Sequence, residues 1–316
     1  RRAQTPCPIC VPARASITTG NYPTKCTGHK TNHGAIRDGQ CKIAEVFNAA
    51  GYRSYALGKL HYVPYAKPGQ PRTLNGFQYA ELMESGRILK THDPEGRLRG
   101  VEDYFDYLAD VGWRGYSRAH ALGNNDMHPA ATPLPQEHAP DAWVAARTLA
   151  ALRRHAEQDG DKPFFAWMSF PKPHSPYDPP QPYDRLYDPR RVPPPFGTRD
   201  MLADRNPHMR ISAFRHGMNF YSPEAVQVFR AHYYGLVTFQ DAMIGRVMDF
   251  LRQTGQAENT IVLYTADHGD LISDYGGCFK CNFHVGSVGV PLIVSAPGRA
   301  PSGRSSDALA GLQDVL

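Results

Sequence analysis

Residues 260–270 read T-I-V-L-Y-T-A-D-H-G-D, an apolar run that gives way to acidic and imidazole side chains. A short run rich in β-branched and aromatic residues predicts a buried strand over residues 260–265. In open α/β sheets, ligand sites form beyond the carboxyl ends of strands. The stretch therefore predicts a sheet and also the edge of that sheet where function is concentrated.

The rest of the chain alternates between runs of this kind and amphipathic segments. Further strands are predicted at residues 52–57, 164–170 and 291–295, and helices at residues 12–19, 43–50, 141–156 and 223–251. Strands separated by helices are typical of parallel sheets covered on both sides. We therefore expect an α/β fold with a central mixed, mostly parallel sheet flanked by helices on both faces.

The composition is that of a globular domain. The 316 residues are 41% hydrophobic and 21% charged, with 35 basic and 30 acidic side chains and a net charge of +5. These values exclude a coiled coil, a collagen-like fibre and a disordered tail. Since the apolar runs and the basic runs are all short, we expect neither a membrane nor a nucleic acid as partner. The sequence leaves the oligomeric state open.

A proline-rich segment follows the predicted strand at residues 164–170. Eleven of the 28 prolines lie between residues 163 and 195. Proline at this density is incompatible with regular helix or interior strand. We therefore expect an ordered excursion from the sheet, at about residues 171–222.

Polar side chains collect where the predicted strands end and where the first helix begins. Those that can bind an anion, move a proton or bind a metal are Cys10, Arg14, Lys59, His61, His174, Asp267, His268 and Lys280. A cysteine at the beginning of a helix has its thiolate stabilised by the helix dipole, which also favours a bound anion. The pattern predicts a site for an anionic small molecule, with a sulfur nucleophile and a divalent cation.

These motifs resemble the sulfatase family, within the alkaline-phosphatase-like superfamily. The stretch C-V-P-A-R-A-S at residues 10–16 resembles the family signature C-x-P-x-R. It is followed in the family's order by G-K-L-H at residues 58–61, P-H-S-P-Y at residues 173–177, and D-H-G-D at residues 267–270 with Lys280 beyond it. The middle of the chain is similar to choline sulfatases and phosphonate monoester hydrolases. Because those relatives are typically soluble bacterial enzymes, the resemblance favours a cytoplasmic location.

The resemblance implies sulfate ester hydrolysis through a modified cysteine. A formylglycine-generating enzyme would oxidise Cys10 to formylglycine, and one hydroxyl of its hydrate would attack the sulfur of a small-molecule sulfate ester. Arg14 and Lys59 would stabilise the ionised hydrate. His61 would be the base that promotes its collapse and the release of sulfate.

The resemblance also implies a divalent cation and groups that act on the substrate. Asp267 and His268 would bind the metal together with the group derived from Cys10. Calcium is favoured, while manganese and magnesium stay open because a histidine ligand softens the site. His174 and Lys280 would hold sulfate oxygens or protonate the departing alkoxide.

The sequence departs from the family pattern at both ends. Sulfatases usually supply metal-binding carboxylates from a strand well before the cysteine motif, whereas this sequence begins nine residues before Cys10 and contains no Asp-Asp pair. The family also continues into a smaller carboxy-terminal sheet. We therefore expect residues 1–316 to form one sulfatase-type catalytic domain that is an internal fragment. Alone, it would lack metal ligands needed for turnover.

Two other functions remain open. A phosphonate or phosphate ester hydrolase of the same superfamily would use a similar site, because both kinds of ester are tetrahedral anions. The two C-x-x-C motifs, Cys7 with Cys10 and Cys278 with Cys281, instead suggest a non-catalytic protein with a four-thiolate zinc site.

Overall fold

A computed structural model describes residues 2–29, 31–62, 70–86, 99–202 and 207–316. Its strands are β1 (Arg2–Gln4), β2 (Arg53–Gly58), β3 (Tyr79–Leu82), β4 (Phe164–Ser169), β5 (Val262–Thr265), β6 (Leu292–Ser295) and β7 (Leu309–Gly311). Its α-helices are α1 (Cys10–Thr19), α2 (Pro23–Cys26), α3 (Ile43–Ala49), α4 (Asp103–Asp110), α5 (Pro140–Gln158), α6 (Pro207–Arg215), α7 (Pro223–Gln253) and α8 (Val285–Val288). None of the helices in these ranges combines the length and the apolar character needed to cross a membrane.

The strands are mostly parallel, which confirms the predicted α/β class. Strands β3, β2 and β4 form a parallel sheet in that order, and β1 pairs in parallel with β7. Strands β5 and β6 form an antiparallel pair. Within the described residues the strands thus fall into three hydrogen-bonded groups instead of the single central sheet that the sequence predicts.

Every helix and strand predicted from the sequence is present, with bounds that differ by two residues or fewer. Helix α1 begins at Cys10 and ends where Gly20 adopts a left-handed conformation, the usual helix terminator. The unpredicted β3 has the sequence Y-A-E-L, too short for a clear alternation of apolar and polar residues. Its Glu81 is held by Arg147 from α5, a tertiary contact that no local pattern indicates.

One expectation about burial is wrong. Strands β5 and β6 are predicted to be buried, yet Leu263 is 40% exposed and Ile293 is 61% exposed. The reason lies in their neighbours, because among the described residues β5 pairs only with β6. The outer faces of both strands are therefore left partly uncovered.

The long helices α5 and α7 lie against each other and support the sheet. Leu149 and Leu152 of α5 pack with Val247 and Leu251 of α7 in one apolar cluster, and Phe164 of β4 packs against it. Burial of such side chains contributes roughly 1.5–3 kcal/mol each. The cluster fixes the position of β4 relative to α5 and α7, and hence the position of the residues that follow β4.

The proline-rich excursion after β4 is ordered by contacts to α7. Its described residues contain short 3-10 helices such as Tyr183–Arg185 and Pro189–Arg191. The side-chain amide of Gln240 in α7 donates a hydrogen bond to the carbonyl oxygen of Lys172 at 2.7 Å. Tyr177 is fully buried beside Phe229. These contacts hold the segment around His174 against the helix.

Gly58 ends β2 where no other residue fits. Its φ is +97°, and a Cβ there would lie 2.1 Å from the carbonyl oxygen of Ser169 on β4. We expect Gly58→Ala to lower the free energy of unfolding by about 3 kcal/mol or more, since it combines a strained φ with a backbone clash. Urea denaturation followed by circular dichroism measures the change.

Gly39 provides the matched control for this prediction. Its φ is +73°, and a Cβ added there would have no other atom within 4 Å. Gly39→Ala therefore isolates the cost of the left-handed conformation, which we expect to be about 1–2 kcal/mol. Equal losses for the two variants would contradict the close approach of β2 and β4 at Gly58.

Candidate active site

The site is built around Cys10, the first residue of α1. Its side chain is 1% exposed, and its Sγ lies 3.1 Å from Nε2 of His268. Pro12 is compatible with the first turn of the helix because the amides there have no intrahelical acceptor. The amide of Val11 donates instead to Oδ1 of Asn32 at 3.0 Å. The beginning of α1 thus places the sulfur next to the residues that follow β5.

Arg14 connects the helix to three strand ends. It lies one turn after Cys10, so both side chains project from the same face of α1. Its Nε donates to Oδ2 of Asp267 at 2.8 Å, and its Nη1 donates to the carbonyl oxygen of Lys59 and to Oγ of Ser169, both at 2.9 Å. The buried guanidinium therefore fixes the ends of β2, β4 and β5 relative to one another.

The positive charges around Cys10 favour its ionised form. Burial acts in the opposite direction, but the charges of His268, Lys59 and Lys280 together hold the pKa of the Cys10 thiol well below its ordinary value. The same logic applies to the carboxylate: although Asp267 is buried, Arg14 and His268 hold its pKa well below the usual range. The site is thus organised to hold negative charge at position 10.

Three donor atoms converge in a way that suits a metal ion. The ligand atoms of Cys10, Asp267 and His268 all lie within 4.8 Å of one another. Nδ1 of His268 is 2.8 Å from the carbonyl oxygen of Gly269, which orients the ring so that Nε2 faces Cys10. Oδ2 of Asp267 is bonded to Arg14, while Oδ1 accepts a hydrogen bond from the amide of His268 at 3.1 Å and lies 3.8 Å from Nε2 of the same residue. These residues fit a divalent cation, as the sequence predicts.

Lys280 and His174 form the other side of the site. Nζ of Lys280 lies 2.8 Å from Nε2 of His174, and Nδ1 of His174 lies 2.9 Å from the carbonyl oxygen of Ser175. A lysine ammonium donates to the lone pair of a neutral imidazole, which leaves the other ring nitrogen to bond the carbonyl. Lys280 also contributes to the field at Cys10. The structure thus brings these residues, 106 positions apart, into one hydrogen-bonded pair.

Lys59 and His61 lie on the turn that follows β2. Both are buried, and the charge of Lys59 acts on Cys10 and on Asp267. His61 has a φ of +56°, and its amide is bonded to the carboxylate of Glu84. The structure places the ammonium of Lys59 with the cluster, while the role of the His61 imidazole as a base stays a prediction.

The four thiols of the zinc hypothesis do not gather. Among the residues described, the one set of donors that converges contains Cys10 with Asp267 and His268, and no other thiol. Cys278 is buried in an apolar cluster, where burial raises the pKa of its thiol to about 12. The amide of Cys281 pairs with the carbonyl oxygen of Pro8, but its side chain is exposed. This arrangement gives no four-thiolate site.

Several residues that shape the site were not predicted from the sequence. Asn32 satisfies the amide after Cys10, but it lies in an irregular loop and no spacing indicates it. Ser169 is the last residue of β4 and could have been identified by its position at a carboxyl end. Glu84 follows β3, a strand that was itself not predicted.

Comparison with known proteins gives consistent matches over the whole chain. A family model described as Sulfatase matches residues 1–316. An arylsulfatase of Clostridium perfringens is 30% identical over 99% of this chain and 65% of its own length. A choline-sulfatase of Rhizobium meliloti is 30% identical over 93% of this chain and 54% of its own length. The chain therefore spans less than two thirds of these relatives.

A solved structure shows the same fold. The phosphonate monoester hydrolase from Silicibacter pomeroyi superposes with a TM-score of 0.79 and 26% sequence identity. The match covers 100% of this chain and 64% of the other. The arrangement of helices and strands described above is therefore that of an alkaline-phosphatase-like enzyme.

The ion pair between Arg14 and Asp267 predicts a large loss of stability when one partner is removed. We expect Arg14→Met to lower the free energy of unfolding by about 3–5 kcal/mol, because it leaves a buried carboxylate without its counter-charge. The double variant with Asp267→Asn should recover part of the loss. Urea denaturation in the presence of EDTA measures these values without a contribution from bound metal.

Ser169→Ala is the control for this prediction. It removes a neutral acceptor of the same guanidinium, so we expect a loss of only about 1 kcal/mol. If Arg14→Met and Ser169→Ala cost the same, Arg14 does not act through its charge.

Proposed function

Because the chain belongs to the sulfatase family, we propose that it carries the catalytic centre of a sulfate ester hydrolase. Its nucleophile is a formylglycine derived from Cys10. One observation carries the proposal: a buried cysteine at the beginning of a helix lies in the field of two lysine ammonium groups and within reach of two metal-ligand side chains. Family members in general use formylglycine and a divalent cation. A formylglycine-generating enzyme is the maturation partner, and the substrate is a small-molecule sulfate ester.

The residues around position 10 stabilise a nucleophilic oxygen. A formylglycine hydrate supplies one hydroxyl that attacks sulfur and a second whose deprotonation restores the aldehyde. Lys59 provides the fixed positive charge that favours an ionised hydroxyl there, and the guanidinium of Arg14, one turn along α1, adds to it. His61, on the same turn as Lys59, accepts the proton of the second hydroxyl.

Lys280 and His174 act on the ester. Their side chains are hydrogen bonded to each other at 2.8 Å, so the neutral imidazole orients the lysine ammonium, which can itself donate a proton. Lys280 binds an anionic oxygen of the sulfate group. The pair is thus suited to protonate the alkoxide that leaves when the S–O bond breaks.

Asp267 and His268 hold the divalent cation together with an oxygen at position 10. When bound, the cation supplies Lewis acidity that polarises the sulfate and lowers the pKa of the nucleophile. Carboxylate oxygen favours calcium, which we propose as the ion, with manganese or magnesium as alternatives because of the imidazole ligand. The hydrogen bond from His268 to Gly269 keeps the imidazole oriented for this role.

Further carboxylates complete the metal site from outside this chain. A cavity of about 1750 Å³ lies between β4 and β5 and is lined by Trp167, Met168, Tyr264 and Asp267. Within the described residues β4 pairs only with β2, and β5 pairs only with β6. A strand of the whole protein placed in this cavity would end beside Asp267, where acidic side chains reach the metal. In this proposal, residues 1–316 are the central part of one catalytic domain.

Phosphonate monoester hydrolysis is the second candidate. The structural match to the Silicibacter pomeroyi enzyme favours it. A phosphonate monoester, like a sulfate monoester, presents a tetrahedral anionic centre to the same cations. Because both esters are monoanions, charge does not separate the two reactions, and substrate preference must decide between them.

Conversion of Cys10 is the first testable consequence. We expect the tryptic peptide that contains Cys10, from protein produced with a formylglycine-generating enzyme, to be lighter by ~18 Da than the cysteine form. Peptide mass spectrometry measures the shift, with the peptides of Cys26 and Cys278 as internal controls that keep their thiols. An unmodified Cys10 under these conditions would rule out the formylglycine mechanism.

Substrate preference distinguishes the two candidate reactions. For the full-length gene product we expect kcat/KM for 4-nitrophenyl sulfate to exceed that for an aryl phosphonate monoester by about 10-fold or more. Cys10→Ala should abolish turnover of both, whereas Cys281→Ala, which removes an exposed thiol, should leave it unchanged. The opposite order of kcat/KM would favour the phosphonate hydrolase.

A further inference from the structure

Glu84 lies beyond β3, outside all the motifs that the sequence singles out, yet it bonds directly to the turn that carries Lys59 and His61. Its Oε1 accepts hydrogen bonds from the amides of Leu60 at 2.7 Å and of His61 at 2.8 Å. We propose that Glu84 is a positioning residue of the active site, whose carboxylate holds this turn in its working shape. The inference rests on the proposed function, since that function gives Lys59 and His61 their roles.

The turn needs such an acceptor because of its backbone conformation. Gly58 and His61 both have positive φ, +97° and +56°. For a histidine this conformation is strained and persists only where the surroundings over-determine it. It also directs two consecutive buried amides to one point, and buried amides require an acceptor. A single carboxylate oxygen satisfies both.

Glu84 is brought to this point by the parallel pairing of β2 with β3. Gly58 lies opposite Leu82 in the register, and the amide of Met83 donates to the carbonyl oxygen of Gly58 at 3.0 Å. Glu84, the residue after Met83, therefore lies level with the turn that follows β2. The pairing of the two strands thus places the carboxylate next to the two amides.

The charge of Glu84 is matched by the cations of the site. Burial raises the pKa of its carboxyl, while the amides of Leu60 and His61 and the charges of Lys59 and Arg14 oppose that rise. The carboxylate is thus held by two amides of the turn and by the charges of Lys59 and Arg14, two cations that the proposed function assigns to position 10.

Glu102 holds Glu84 in turn. Its Oε1 accepts from the amide of Glu84 at 2.5 Å and from the amide of Gly86 at 3.2 Å. Burial and the nearby charges of Glu84 and Asp103 raise the pKa of Glu102 to about 8. Glu102 therefore holds the backbone on both sides of Ser85, from which the side chain of Glu84 reaches the turn.

Two substitutions at position 84 distinguish the effect of side-chain length from the effect of side-chain charge. Glu84→Gln keeps an oxygen that reaches both amides but removes the charge, whereas Glu84→Asp keeps the charge but is one methylene too short. If positioning through the amides is the function, Glu84→Asp should lower kcat for 4-nitrophenyl sulfate by about 100-fold with little change in KM, as a displaced catalytic group does. Glu84→Gln should lose less than about 10-fold.

Hydrogen exchange gives a readout that does not depend on turnover. Peptides spanning residues 58–62 should exchange their amide hydrogens faster in Glu84→Asp than in the wild-type protein, and no faster in Glu84→Gln. Glu81→Gln is the matched control, since Glu81 lies on the same strand but bonds Arg147. Its kcat and its amide exchange over residues 58–62 should equal those of the wild-type protein.

The outcomes are distinguishable. The proposal is overturned if Glu84→Asp retains kcat and amide protection, or if Glu84→Gln loses both, since charge alone would then account for the residue. Should Glu84→Asp not fold, the glutamine variant decides alone by the same criteria. If the wild-type protein with formylglycine at position 10 turns over no ester, the proposed function fails, and amide exchange still tests whether Glu84 holds the turn.

Discussion

The buried ion pair between Arg14 and Asp267 is the interaction on which the site depends. It joins the first turns of α1 to the end of β5 across 253 positions of sequence, and the same guanidinium reaches the ends of β2 and β4. Each charge compensates the other in surroundings where neither would be tolerated alone. The guanidinium binds Oδ2 of Asp267, while Oδ1 accepts from the amide of His268 and lies 3.8 Å from Nε2 of that residue, within the cluster. Structural order and metal-binding chemistry therefore come from the same contact.

The second organising constraint is the excess of positively charged side chains around position 10, where the site holds negative charge. Lys59, Lys280 and His268 all act on position 10, and they overcome the effect of burial on the pKa of its thiol. Such preorganised charge is the largest contribution to catalysis in many enzymes, because it costs no reorganisation during the reaction. The cations must themselves be held apart and in place. Asp267 does this by bonding Arg14, and Glu84 does it by accepting from amides of the turn that carries Lys59.

Strands β5 and β6 are partly exposed, and the relatives that match this chain are longer than it. The arylsulfatase and choline-sulfatase matches extend well beyond the length of this chain, and the cavity between β4 and β5 is bordered by strand edges without partners in the described residues. A sheet edge of this kind is a template for another strand. The uncovered edges of β4 and β5 in the described residues are thus the physical support for the further strand proposed above.

The α/β class, the bounds of the main helices and strands, and the residue types of the site can be predicted from the sequence, because local periodicity and motifs a few residues long set them. The motifs also indicated that one site contains Cys10, Arg14, Lys59, Asp267, His268, His174 and Lys280. Three features emerged from the folded structure alone: Cys278 lies in an apolar cluster and not with Cys10, β6 runs antiparallel to β5, and the site is held together by Asn32, Ser169 and Glu84. These facts depend on strand pairing and on hydrogen bonds between residues far apart in sequence, and no local pattern encodes which distant partner a buried polar group will find.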